Sequence, residues 1–170
     1  TTGRAHIIIN IAKLSLGLRH RDETTAATRA GLPAQFLVVA NHQSFLDIVM
    51  AYDSFRDHQV RFVAKKSLGK NFPGVAQTLR YQKHALIEQS GSARGNFAIM
   101  TNFARRCYAK GYCPVIFPEG TRARTGELGA FQPAGVRMML DHCPLPIVVF
   151  AMDGAWKMAT IKDYFNKEPK

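Results

Sequence analysis

Cysteine is scarce and unpatterned in this chain. The three thiols, Cys107, Cys113 and Cys143, are odd in number and form no C-x-x-C pair, which speaks against a disulfide framework and a zinc site and points to a reducing compartment. Long apolar runs are missing too. Lys13 interrupts Ile7 to Leu18, and Leu145 to Met152 falls well short of the roughly 18 residues that a membrane-spanning helix needs. No G-x-S-x-G elbow and no cluster of metal-ligand residues is present. Acidic residues are also few: 12 Asp and Glu stand against 23 Lys and Arg, a formal charge of +11, so the expected partners are anionic. Low-complexity segments and internal repeats on the scale of a whole structural unit are absent.

What is there suits one compact domain over residues 1–170. Apolar residues make up 46% of the chain and charged ones 21%, an ordinary globular composition. A chain of this size buries roughly 70% of its unfolded surface, enough for a real core. The basic excess is concentrated. From Arg56 to Arg106 there are ten basic residues and two acidic ones, Asp57 and Glu88. A nucleic acid is not the expected partner, because no basic stretch interleaved with aromatics resembles an RNA-binding signature. An anionic membrane surface and a phosphate-bearing metabolite fit the charge as well.

Apolar positions Ile7, Ile8, Ile11, Leu14 and Leu18 recur near a 3.6 period and predict an amphipathic N-terminal helix within a 1–35 lead-in of helix and loop. Strands are predicted at Phe36 to Ala40, Val60 to Ala64, Ala85 to Glu88, Val115 to Phe117 and Pro146 to Met152. Helices are predicted from Ser44 to about Phe55, from Asn96 to Ala109 and from Ala134 to Asp141. Leu68 to Leu79 reads as loop leading into a short helix. Alternation of this kind predicts an α/β domain with a central, mostly parallel or mixed sheet flanked by helices.

Two segments carry chemistry. In Asn41-His42-Gln43-Ser44-Phe45-Leu46-Asp47, an imidazole precedes a carboxylate by five residues. On one helix they would stand about 140° apart and never meet. They meet if His42 lies on the turn before the helix, with Ser44 as N-cap and Asp47 at N3 reaching back. An imidazole oriented by a carboxylate is a general base. The same Ser44-x-x-Asp47 spacing is also an ordinary capping box. The second segment, Phe117-Pro118-Glu119-Gly120-Thr121-Arg122, follows an apolar strand that Pro118 should end. Gly120 permits close backbone approach, Arg122 offers a planar fork for phosphate oxygens with Arg124 in reserve, and Glu119 is better placed to orient the arginine or the loop than to act as a second base.

Together these segments resemble the glycerolipid acyltransferases, the family of 1-acylglycerol-3-phosphate acyltransferase, whose hallmark is N-H-x-x-x-x-D followed by F-P-E-G-T-R. The likeness covers about Phe36 to Asp153 and includes Val63-Ala64-Lys65-Lys66-Ser67-Leu68 and Pro144-Leu145-Pro146-Ile147-Val148-Val149. The resemblance implies acyl transfer from acyl-CoA or acyl carrier protein to the hydroxyl of a lysophosphatidic acid-like acceptor in phospholipid synthesis. His42 would act as base with Asp47, and Glu119, Gly120, Thr121 and Arg122 would hold the acceptor phosphate. No metal or other cofactor and no covalent acyl-enzyme is implied. Lys65, Lys66, Lys83, Arg94 and Arg124 are further candidate contacts to acceptor or membrane. Gln89 stands where the family's middle block carries an arginine, so Arg94 or Lys83 would replace it or the acceptor differs. The expected location is the cytoplasmic face of a membrane. A start at Thr1 without methionine, and an end at Lys170 that is early for the family, predict truncation at one or both ends.

Overall fold

The computed structural model describes residues 21–66, 81–88 and 92–158. The predicted helix at 6–18, the segment 68–79 and Gln89 lie outside the described residues. Helix α1 spans Ala26–Ala30 and strand β1 Leu37–Ala40. Then come α2 (Asp47–Ser54), β2 (Val60–Lys65), β3 (Ala85–Ile87) and α3 (Ala93–Lys110). Strand β4 (Cys113–Ile116), α4 (Pro133–His142), β5 (Ile147–Phe150) and a 3-10 turn (Ala155–Met158) complete the order.

The strands form one five-stranded sheet in the order β3-β2-β4-β1-β5, and every pairing is parallel. The apolar runs of β1 and β4 are those of strands covered on both faces. Side chains alternate across them. Phe36, Val38 and Ala40 pack with Ala51, Tyr52 and Phe55 on the α2 side. Leu37 and Ile116 instead face Met100, Phe103 and Cys107 of α3 and Met139 of α4. This division follows from chain direction. Parallel crossovers are right-handed, so the β1-to-β2 connection and the β3-to-β4 and β4-to-β5 connections, which run opposite ways along the sheet, leave their helices on opposite faces.

Expected boundaries move by up to three residues, and two of the shifts have a clear cause. Strand β4 begins at Cys113 rather than Val115, although Pro114 lacks an N–H. Cys113 and Pro114 pair only with Val60 and Arg61 of β2, and the ladder to β1 starts at Val115, so the proline falls where β4 has a single paired neighbour. Helix α2 begins at Asp47 rather than just after Ser44, and its N-cap, Leu46, makes no side-chain cap bond. Ser44 is drawn away from capping N3: its hydroxyl accepts from the Leu46 amide at 3.2 Å and donates to the Met158 carbonyl.

Candidate active site

The two segments leave the C-terminal ends of β1 and β4, which are neighbours. The chain departs from β1 toward one edge of the sheet and from β4 toward the other, and a crevice opens where connections diverge in this way. His42 lies on the turn after β1, and its Nδ1 is 2.6 Å from Asp47 Oδ2. The same oxygen accepts the amides of Gln43 at 2.7 Å and Ser44 at 2.9 Å. An oxygen receiving two N–H groups is the acceptor for the third, so the imidazole proton sits on Nδ1 and Nε2 keeps its lone pair. Asp47 is fully buried, whereas the His42 side chain keeps 20% of its surface. Phe117 stacks on the imidazole at 4.3 Å between centroids and 22° between planes, which fixes the ring against rotation.

Glu119 joins the two segments. Its Oε1 accepts the His42 amide at 2.8 Å and its Oε2 accepts the Gly129 amide at 2.9 Å. Both oxygens of this buried carboxylate are occupied by backbone amides, which ties the loop to the His42 turn. The Ala123 amide donates to the His42 carbonyl at 2.7 Å, bringing the Thr121–Ala123 stretch against the histidine. Gly120 turns the loop at φ 68°, a conformation open to glycine at little cost. Thr121, Arg122 and Arg124 are exposed beside the crevice.

The remaining candidates separate. Lys65 ends β2, next to β4, and is half-buried. Lys66 pairs with Glu88 at 2.5 Å. Arg94 is exposed in the first turn of α3, beyond the end of β3 and three strand positions from β1. Lys83 precedes β3 and therefore stands at the opposite end of the parallel sheet from His42. Among the described residues, no group of three or more His, Cys, Asp or Glu is arranged to hold a metal ion, and no helix is long and apolar enough to cross a membrane.

Two contributors were not visible in sequence. Asn41 exchanges a pair of hydrogen bonds with the Met152 backbone, at 2.8 and 2.7 Å, locking the end of β1 to the chain after β5. Gly129 leaves room for the Glu119 carboxylate, since a Cβ there would stand 2.8 Å from Oε2 and oblige that side chain to shift. Asn41 at least adjoins the histidine in the motif; nothing in the local sequence marks Gly129. A cavity of about 840 Å³ lies on the α2 side, lined by Leu46, Val49, Met50, Phe150, Met152 and Met158 and by the charged Arg21, Asp22, Glu23 and Asp153 among others. It adjoins the site through Leu46, which precedes Asp47, and through Met152 and Met158, which hold Asn41 and Ser44.

Residues 20–153 match the model of the Acyltransferase family. The chain belongs to that family. It is 27% identical over 129 residues to a 1-acyl-sn-glycerol-3-phosphate acyltransferase from Cocos nucifera, a match covering 74% of this chain and 41% of the relative. Its fold resembles the solved structure of the 1-acyl-sn-glycerophosphate (LPA) acyltransferase PlsC from Thermotoga maritima, with a TM-score of 0.55 and 26% identity over 72% of this chain and 46% of that one. This acyltransferase-family chain thus spans less than half the length of the relatives it matches. The glycerolipid acyltransferase resemblance holds, as does the α/β fold with a mostly parallel or mixed sheet, which is wholly parallel among the described strands.

Proposed function

We propose that this domain transfers a fatty acyl group from an acyl thioester, acyl-CoA or acyl carrier protein, to a hydroxyl of a lysophosphatidic acid-like acceptor. The observation that carries the reading is the 2.6 Å contact of His42 Nδ1 with a buried Asp47 that is itself held by two amides. Nε2 removes the proton from the acceptor hydroxyl as its oxygen attacks the thioester carbonyl. Asp47 stabilises the imidazolium that forms, and the proton passes to the departing thiolate as the C–S bond breaks and the ester C–O bond is completed. A positioned base of this kind contributes about 10²- to 10⁴-fold.

Arg122, with Thr121 and the Gly120 turn, takes the acceptor phosphate, and Glu119 holds that loop against His42. The apolar residues of the cavity beside α2, Leu46, Val49, Met50 and Phe150 among them, receive the acyl chain. The names of the Cocos nucifera and Thermotoga maritima relatives support the acceptor class, and the charge of +11 supports work at the cytoplasmic face of an anionic membrane.

Purified protein in detergent, given palmitoyl-CoA or palmitoyl-acyl carrier protein, should convert lysophosphatidic acid to phosphatidic acid and leave monoacylglycerol largely untouched. No acylated product from either donor, or equal use of the acceptor without phosphate, would overturn the reading. Arg122→Ala should raise the acceptor KM about tenfold or more while changing kcat less; an unchanged KM removes Arg122 from the phosphate site.

A further inference from the structure

Helix α3 carries a surface that the site does not use. None of its 18 residues is acidic. Met100, Phe103, Ala104 and Cys107 are buried on its inward side, while Arg94, Phe97, Arg105 and Tyr108 are exposed, Phe97 to 56% and Tyr108 to 52%. These four form a repeat: Arg94-x-x-Phe97 recurs as Arg105-x-x-Tyr108. Eleven residues are three helical turns plus about 20°, so both pairs point the same way, about 16 Å apart along the axis. Neither guanidinium has an ion-pair partner among the described residues. Ala98, Asn102 and Ala109, all exposed, keep the surface beside the repeat low.

We propose that this face lies on an anionic phospholipid surface, with the arginines on lipid phosphates and the two rings in the headgroup layer. Charge complementarity favours an anionic partner, and the shape favours a planar one. Two equivalent cation–aromatic pairs at one height meet a flat array of phosphates together, and small residues beside them form no socket for a protein side chain. Strand direction agrees. Helix α3 starts shortly after β3, which is parallel to β1, so the Arg94 end of the helix lies toward the His42 end of the sheet. Seating this face on lipid places at the membrane, where a lipid acceptor resides, the end of the helix that lies on the crevice side of the sheet. In that one respect the inference rests on the acyl-transfer reading.

The test is co-sedimentation of the intact protein with phosphatidylcholine vesicles containing about one quarter phosphatidylglycerol. Binding should weaken with salt and be far poorer on pure phosphatidylcholine. Arg94→Glu with Arg105→Glu should lower binding by about tenfold or more, and Phe97→Ala with Tyr108→Ala severalfold, each with an unchanged circular dichroism spectrum. Unchanged binding by the folded charge-reversed protein would overturn the proposal and place the lipid contact elsewhere, the predicted helix at 6–18 included. Capture of an acidic acyl carrier protein that the charge reversal abolishes, with vesicle binding unaffected, would overturn it in favour of a protein partner. Sedimentation requires no acyl transfer, so a protein that binds as described but makes no product contradicts only the earlier reading.

Discussion

His42, after β1, and His84, before β3, sit at opposite ends of the sheet, and each has Nδ1 in a hydrogen bond, yet the bonds run in opposite directions. At His42 the ring donates to a carboxylate, 2.6 Å away, and Nε2 keeps a lone pair. At His84 the ring accepts, taking the Phe62 amide at 2.8 Å, so the proton lies on Nε2 beside the Tyr52 hydroxyl at 3.1 Å. Tyr52 in turn donates to Gln82. Burial first, then the nearby Arg61 and Arg106, hold His84 down to a pKa of about 3. In the proposed mechanism the first imidazole takes a proton, whereas the surroundings of the second keep it neutral. Residue type alone does not make a base; the partner on the far nitrogen and access to the near one do.

The comparison breaks most sharply at Asp47. Asp47→Asn keeps an acceptor oxygen but removes the charge that stabilises imidazolium, and should cut acyl transfer by about 10²- to 10⁴-fold, read as kcat with lysophosphatidic acid. His84→Gln should leave kcat within about twofold, because it touches no substrate. Comparable losses in both variants would erase the distinction. Next in size is Gly129→Ala, whose methyl would displace the Glu119 carboxylate and with it the His42 peptide. A fall in kcat of about tenfold to a hundredfold is expected, and an unaltered kcat would show that Glu119 does not position the base.

The motifs made His42 and Asp47 legible because their spacing admits only one useful geometry, the histidine before the helix and the carboxylate reaching back. Why α2 starts as late as Asp47 was not legible: the Ser44 hydroxyl finds a partner at Met158, more than a hundred residues on. The five strands were readable as short apolar runs between turn residues. Their order was not, since adjacency of β1 and β4 depends on crossovers and not on local pattern. Glu119 stands in the motif, but its tie to Gly129 joins loops whose approach no local signal reports. The repeat on α3 was present in the sequence; only burial of the opposite side shows that it faces outward.

Smaller effects sharpen the contrast on the His84 side. His84→Ala leaves the Phe62 amide without its acceptor and should cost about 1–3 kcal/mol in denaturant unfolding; an unchanged midpoint would deny the network its structural role. The pH dependence has a definite sign. His84 titrates near 6.5 when unfolded and near 3 when folded, so the unfolded chain binds more protons between those values. Its contribution to stability is complete above about pH 6.5 and is lost as pH falls toward 3, by up to about 1.4 kcal/mol per pH unit. His84→Gln should flatten that part of the stability profile, and an unaltered slope would contradict the assignment. Least of all should thiol reagents act on the native protein. Cys107, Cys113 and Cys143 are buried, and burial pushes the Cys107 thiol up to about 12 and Cys143 to about 11. Ellman's reagent should find them only after denaturation, and rapid native labelling would contradict the packing of the α3 and α4 layer.

The most direct test of the central claim is the acyl-transfer rate of His42→Ala, measured on protein whose circular dichroism and unfolding midpoint match the parent. The account predicts that phosphatidic acid formation falls to a trace while the fold persists. Turnover near the parent rate in that folded variant would contradict it and remove His42 from the chemistry.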